Sequence, residues 1–435
     1  MILYLKNVVI LIKMVFEIGI GTSQNWDPKK AILEAIKQAK PNLSKDPSFI
    51  LFFSTIHYEK NKGFQKALDT IYSQIPKKTP LVGGTVAGFM NDSGTYTQGI
   101  TLLLCYSDEI KISLGVGRNV RRNPKKAAKN CTKMIKKNIK STHGAIFSFY
   151  SSAVVPIYPL LGQKPVITSK YLSIATNLFY NFSLKILQKG IDRSDECLNY
   201  ITSELPEFKL IAGGCTDDVK QKMNKVFFNN SLSDNAIVAL VIETEIETLV
   251  QETSGFKLSG IKLSITKKGK ENRSLIQINN QPAKQEFLRI IGWPIEYLND
   301  YVFSKIFWYP VKFCGNGANN LIQVFGLFVQ NEIIMPYKIE NDKLEILTAD
   351  GKSILAAAIE NINIAQNNKS PKFIFVTECA LRPILLGHKL HQEQQQIKAI
   401  IKAPFLSIFV AGETIYDKQK GLIYGNSTFK SIVFN

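Results

Sequence analysis

Residues 372–413 read KFIFVTECALRPILLGHKLHQEQQQIKAIIKAPFLSIFVAGE: an apolar strand closing at Cys379, a helix around His388 to Ile401, and a second apolar strand closing at Gly412 and Glu413. Two earlier stretches repeat the plan. Residues 49–84 hold the strand FILFFST, an amphipathic helix and the strand LVGG, while residues 145–214 hold AIFSFYSS, a longer helical insert and KLIAGG. In each an apolar strand ends in small polar residues, a helix crosses back, and a second apolar strand follows, the plan of a strand-helix-strand unit. The reading is an α/β protein of repeated strand-helix-strand units, forming mixed sheets packed with helices. Its site is expected at the polar strand ends, because ligands gather beyond the carboxyl ends of such strands.

Working outward, a second repeat precedes each unit. Gly19, Ile20 and Gly21 followed by Asp27, Pro28, Lys29, Lys30 and Ala31 match Gly115, Val116 and Gly117 followed by Asn123, Pro124, Lys125, Lys126 and Ala127 without a gap. Asp27 or Asn123 would cap a helix, and proline at the first helical position sacrifices only a free N–H. Matched caps and glycines at one offset read as duplication of a strand-loop-helix element. A more degenerate third copy is expected through Leu344 to Leu347, Asp350, Gly351 and a helix carrying Ile354, Leu355, Ala358, Ile359 and Ile362. Residues 236–242 and 247–253 alternate as a hairpin would. Beyond them lie further strands, a turn at Lys268 and Gly269, a helix starting at Pro282, and strands over 321–329 and 332–337.

The chain has 435 residues, 45% of them hydrophobic and 20% charged, which suits two or three globular domains. No stretch reaches the roughly 18 consecutive apolar residues of a membrane span. Residues 1–13 are interrupted by Lys6, Asn7 and Lys13, and read either as an upstream mis-start before Met14 or as an extra edge element. Six scattered cysteines (Cys105, Cys131, Cys197, Cys215, Cys314, Cys379) lack CxxC spacing and predict reduced thiols in the cytoplasm.

The joined pattern resembles the FIST sensory domain. The residues that carry the resemblance are Leu81 to Gly84 with Gly88, Ile211 to Gly214, Gly255 and Phe256, Ile265 and Thr266, Gly269, Asn280 to Ala283, Phe287, Gly292, and Tyr309 with Pro310. Cys379, Arg382 and Gly387 follow, then Gly412, Glu413, Asn426 and Thr428; Leu381 stands between Cys379-Ala380 and Arg382, where the family pattern has none. The resemblance implies an N-terminal FIST domain over 14–254 and a C-terminal one over 255–435. It also implies an input module of signal transduction that binds a small molecule, an amino acid or similar metabolite, without a cofactor. The chain carries no kinase signature or coiled coil, so the signal is expected to pass to a separate output protein.

The candidate binding residues follow from chemistry as well. Arg382 can grip a carboxylate with two parallel bonds and Glu413 can accept an ammonium group, which together suit a zwitterion; alternatively the two pair with each other. Gly83, Gly84, Gly213, Gly214 and Gly412 either admit a ligand to the backbone or serve tight turns. Asn426 and Thr428, two apart, share one strand face, toward ligand or toward solvent.

Two other readings stand beside the sensor. An enzyme could use Cys379 as a nucleophile, with one of only four histidines (His57, His143, His388, His391) as its base, or the Glu413 carboxylate, with Arg382 holding an anionic substrate; otherwise Cys379 is a small buried hydrophobe. His388 and His391, three apart on a helix, lack a third metal ligand. The formal charge of +19 and the basic segment 111–140, which holds no acidic residue, permit an anionic partner such as a nucleic acid, although a solvated lysine face is the plainer reading. On its helix Lys125, Lys126, Lys129, Lys133, Lys136 and Lys137 oppose Ala127, Ala128, Cys131, Met134, Ile135 and Ile139. Arg118, Arg121 and Arg122 lie in the loop before it. No aromatic residue interleaves them, which argues against stacking on single-stranded nucleic acid.

Overall fold

A computed structural model describes residues 2–5, 8–11, 15–155, 162–167, 179, 182–187, 189–299, 303–313, 322–323, 326–366 and 369–435. Met14 and Cys314 lie outside them. Ile2–Leu5 and Val8–Leu11 pair only with each other among the described strands.

The fold is mixed α/β, with three mixed sheets packed with helices. All three expected strand pairs are present and parallel: Phe49–Thr55 with Leu81–Val86, Gly144–Ser151 with Lys209–Cys215, and Phe373–Cys379 with Phe405–Val410. Each pair is extended in one spatial order. On one side come an antiparallel last strand and then a first strand: Ile100–Ser107 and Phe16–Ser23, Ala236–Glu243 and Lys111–Arg118, Phe429–Phe434 and Thr248–Thr253. On the other side comes a hairpin supplied by a different unit.

That exchange is cyclic. The hairpin Gly88–Asn91 and Gly94–Tyr96 leaves the first unit and adds to Phe405–Val410 of the third. Val226–Phe228 and Ser231–Ser233 leave the second and add to Leu81–Val86 of the first, and Glu413–Asp417 and Gly421–Gly425 leave the third and add to Lys209–Cys215 of the second. Every unit thus completes the sheet of another.

The matched glycines have a packing cause. A Cβ on Gly19 or Gly21 would strike the carbonyls of Ala39 and Ala35 in the helix Pro28–Ala39, and one on Gly115 or Gly117 would strike those of Cys131 and Ala127 in the helix Pro124–Lys136. Only glycine lets the first strand lie that close to its helix. Asp27 and Asn123 cap these helices as read, accepting from the amides of Lys30 at 2.8 Å and Lys126 at 3.2 Å.

Helices cover the outer faces, and the inner faces meet on aromatic side chains. Phe53, Phe149 and Phe375, one from each central strand, form a triangle with ring centroids 5.0, 6.0 and 6.2 Å apart. Burying three such rings packs the three central strands against one another.

Four expectations are corrected. The first strand of the third unit is Thr248–Thr253, not residues 344–347: Lys343–Thr348 pairs instead with Lys257–Lys268 and Val311–Phe313 in an insertion that joins the second sheet. Residues 236–243 and 248–253 form no hairpin, because both edges of Ala236–Glu243 are already taken. In the basic helix the six lysines are exposed and Ala127, Ala128, Cys131 and Ile135 are buried, but Met134 is exposed as well. Arg121 is not a surface cation; it is buried, donating to the carbonyls of Asp234 at 2.7 Å and Ser152 at 2.6 Å. No helix among the described residues is long and apolar enough to cross a membrane.

Candidate ligand-binding site

At the carboxyl ends of the second and third units lies a recess with about 780 Å³ of free volume including its mouth. Ser152 and Val154 follow one central strand, Cys379 and Leu381 end another, and Ala411 and Gly412 follow the strand beside it. Ile191, Val219, Phe307, Leu327 and Val410 make the walls mostly apolar. Asp192, Gln221, Tyr337 and Asn426 supply polar groups.

Asp192 is the group out of keeping with this setting. Its side chain is 6% exposed, and its Oδ1 accepts from the Ser194 amide at 3.2 Å and the Ser194 hydroxyl at 2.7 Å. Oδ2 takes no hydrogen bond from a described residue and faces the recess. The nearest cations are committed elsewhere: Arg273 to Asp195 at 2.7 Å and Glu196 at 3.1 Å, and Arg121 to backbone carbonyls. Burial pushes the Asp192 carboxyl above its usual range, the two bonds from Ser194 pulling the other way. A carboxylate oxygen open to a mostly apolar recess is a seat for a donor or a cation.

The walls around it are held by close backbone contacts. Gly412 has φ +82°, and a Cβ there would run into the Tyr337 hydroxyl; its carbonyl accepts from the Tyr150 hydroxyl at 2.6 Å. Val219 has φ +68°, a conformation that β-branched residues seldom adopt. The loop that imposes it winds around Asp217, whose carboxylate accepts from the amides of Gln221, Lys222 and Met223 at 2.9, 2.7 and 3.3 Å. Strain of this kind, held by its surroundings, gathers at ligand sites. Asn426 presents a buried Oδ1 with no partner.

Behind Cys379 lies Glu413, fully buried. Its Oε2 accepts from the Thr428 amide at 3.2 Å and the Thr428 hydroxyl at 2.7 Å, while Oε1 takes no hydrogen bond from a described residue. Burial raises the Glu413 carboxyl to about 7, against the pull of Thr428 and Lys430. Burial also pushes the Cys379 thiol up, and Glu413 adds to the effect.

Of the residues singled out in the sequence, Cys379, Gly412 and Asn426 line the recess, with Glu413 and Thr428 directly behind it. Asn426 and Thr428 precede the last strand and are both buried, so neither is solvated. Arg382 lies elsewhere. It is 1% exposed, with Nη2 2.6 Å from Glu393, Nε 2.9 Å from Glu378 and its guanidinium over the Phe429 ring at 5.5 Å. It neither faces the recess nor pairs with Glu413. The cause is strand alternation: Glu378 points to the face opposite Cys379, and Arg382, one turn on, follows it. Gly83, Gly84, Gly213 and Gly214 also stay out of the recess. A Cβ on them would strike the Phe52 carbonyl, the Cys215 sulfur, the Val410 side chain and the Ala411 carbonyl, so they serve close packing between strands. His388 and His391 are exposed, and no metal-ligand cluster occurs among the described residues.

Asp192, Val219, Gln221 and Tyr337 escaped the sequence reading. The one signal available was Asp217 and Asp218 directly after the Gly213-Gly214 strand end, a place where a carboxylate often caps a turn.

A model of the FIST N domain family matches residues 48–281, more than half of the chain and across residue 254. Ser152, Asp192, Val219 and Gln221 fall inside that match. No curated protein matches in sequence. Among solved structures, a cyanuric acid hydrolase aligns with 97% of this chain and 100% of its own at 8% identity and a TM-score of 0.34, a likeness too weak to carry an argument.

Proposed function

We take as premise that this chain belongs to the FIST N domain family, a sensory domain of signalling proteins, and propose that its recess binds a small, largely apolar molecule through an amine. The observation that carries the reading is the open Oδ2 of Asp192 among apolar walls. An ammonium group placed there supplies the missing donor and the opposite charge at once, and the unpartnered Asn426 Oδ1 can accept a second donor. An amino acid with an apolar side chain fits this description at its amine end. Arg382 is withdrawn as the carboxylate holder, since two buried glutamates already occupy it. Output would pass to a separate protein.

The enzyme reading fares less well. A catalytic thiol works as the thiolate, and the surroundings of Cys379 oppose ionisation.

The test is a thermal-shift and calorimetric screen of the whole protein against apolar amino acids and their simple amines, with the deaminated acids as controls. A ligand at a hundred times its dissociation constant adds about 2.7 kcal/mol of stability. A charge-assisted bond contributes roughly 1.5–3 kcal/mol, so Asp192→Asn should weaken binding by about tenfold or more. Binding of the deaminated acids with equal strength, or binding indifferent to Asp192→Asn, would sink the proposal.

A further inference from the structure

Directly behind the Ser152–Val155 wall lies a second recess of opposite character. Val154 lines both. The second is lined by Arg118, Lys189, Lys222 and Lys225, with Asp234 the only acid among its described lining residues. None of these four cations forms an ion pair with a described residue. In a protein of net charge +19 free lysines are common, so charge alone would not mark a site.

Two observations separate this recess from the open lysine face of the helix Pro124–Lys136. Arg118 lays its guanidinium over the Phe228 ring at 5.1 Å, a contact that favours one placement of an otherwise exposed side chain at the rim of the recess. Asn224 lines the recess and is 1% exposed; its Nδ2 donates to the Ser152 carbonyl at 3.1 Å, leaving a buried Oδ1 with no partner. The recess therefore has four cations in its lining and one unused acceptor.

From this we infer that the basic recess is a second binding site, for a small phosphate monoester that carries a hydroxyl group. The doubly charged phosphate satisfies Arg118, Lys222 and their neighbours, and the hydroxyl donates to Asn224 Oδ1. A carboxylate meets the cations with half the charge, and inorganic phosphate lacks the hydroxyl-bearing carbon frame. This site is independent of the amine reading, because Asp192 faces the other recess.

Isothermal titration of the full chain at 0.15 M NaCl tests it, with ribose 5-phosphate, inorganic phosphate and ribose as probes. The expected order is ribose 5-phosphate tighter than phosphate, with ribose silent. Arg118→Ala with Lys222→Ala should weaken ribose 5-phosphate by at least about tenfold, from the loss of charged hydrogen bonds. Lys125→Ala with Lys129→Ala, on the exposed helix face, should leave it unchanged. No saturable binding, or equal weakening by the two lysine-bearing pairs, overturns the inference and assigns the effect to diffuse charge. Equal affinity for phosphate and ribose 5-phosphate overturns the role of Asn224.

Discussion

Replacing Glu413 by glutamine should change how stability depends on pH. The carboxyl is fully buried and stands near 7 in the folded chain, against an ordinary value of 4.5. A raised acid keeps its proton in the folded state while the unfolded chain gives it up, so the folded state binds more protons between those two values. Its contribution is therefore fully present below pH 4.5, is lost as pH rises to about 7, and is flat above. At 1.36 kcal/mol per pKa unit the interval amounts to roughly 3 kcal/mol. Glutamine keeps an oxygen for the two donors of Thr428 and never ionises. Glu413→Gln should match the wild type near pH 4.5 and exceed it by on the order of 3 kcal/mol at pH 8. Urea unfolding of both proteins at half-unit steps from pH 4.5 to 8 reads the difference. Two curves that stay parallel across this range would refute the reasoning, and a Glu413→Gln protein that is relatively weaker at pH 8 would reverse its sign.

Two further outcomes follow from the same neighbourhood. Arg382→Met leaves Glu378 and Glu393 buried without their cation, at a cost of about 3–5 kcal/mol near neutral pH; adding Glu378→Gln and Glu393→Gln should recover most of it, and an unchanged urea midpoint for Arg382→Met alone would contradict the pairing. Gly412→Ala combines a positive φ with a clash against the Tyr337 hydroxyl, so it should lose at least about 2 kcal/mol, and a loss under about 0.5 kcal/mol would show that the wall yields easily.

The repeated units were legible because their strands are buried on both faces, as in Phe49–Thr55 and Phe373–Cys379, and buried strands read as unbroken apolar runs. The duplicated glycines were legible because close packing against a helix leaves no other residue free to stand there. What stayed hidden was pairing at long range. Nothing local in Gly88–Asn91 says that its partner is Phe405–Val410, and the insertion before the helix Gly351–Gln366 separates Thr248–Thr253 from the rest of its unit. The site was half legible for a related reason. Cys379, Gly412 and Asn426 sit at ends of recognisable strands, whereas Asp192, Val219 and Tyr337 arrive on irregular segments whose placement depends on capping and on the insertion. Arg382 misled because sequence spacing shows a charge near a strand end without showing which face takes it.

The cyclic exchange of hairpins also sets a timetable for synthesis. Gly88–Asn91 leaves the ribosome early, but its partner Phe405–Val410 is made about 300 residues later, which at roughly 5–20 residues per second is an interval of about 15 to 60 s. Throughout it Phe89 and Met90, fully buried in the finished fold, have only their hairpin partner Gly94–Tyr96 to lie against. A nascent chain halted before residue 405 should consequently engage chaperones through this hairpin and release them once the last strands emerge. The segment made among the first is secured by one made among the last.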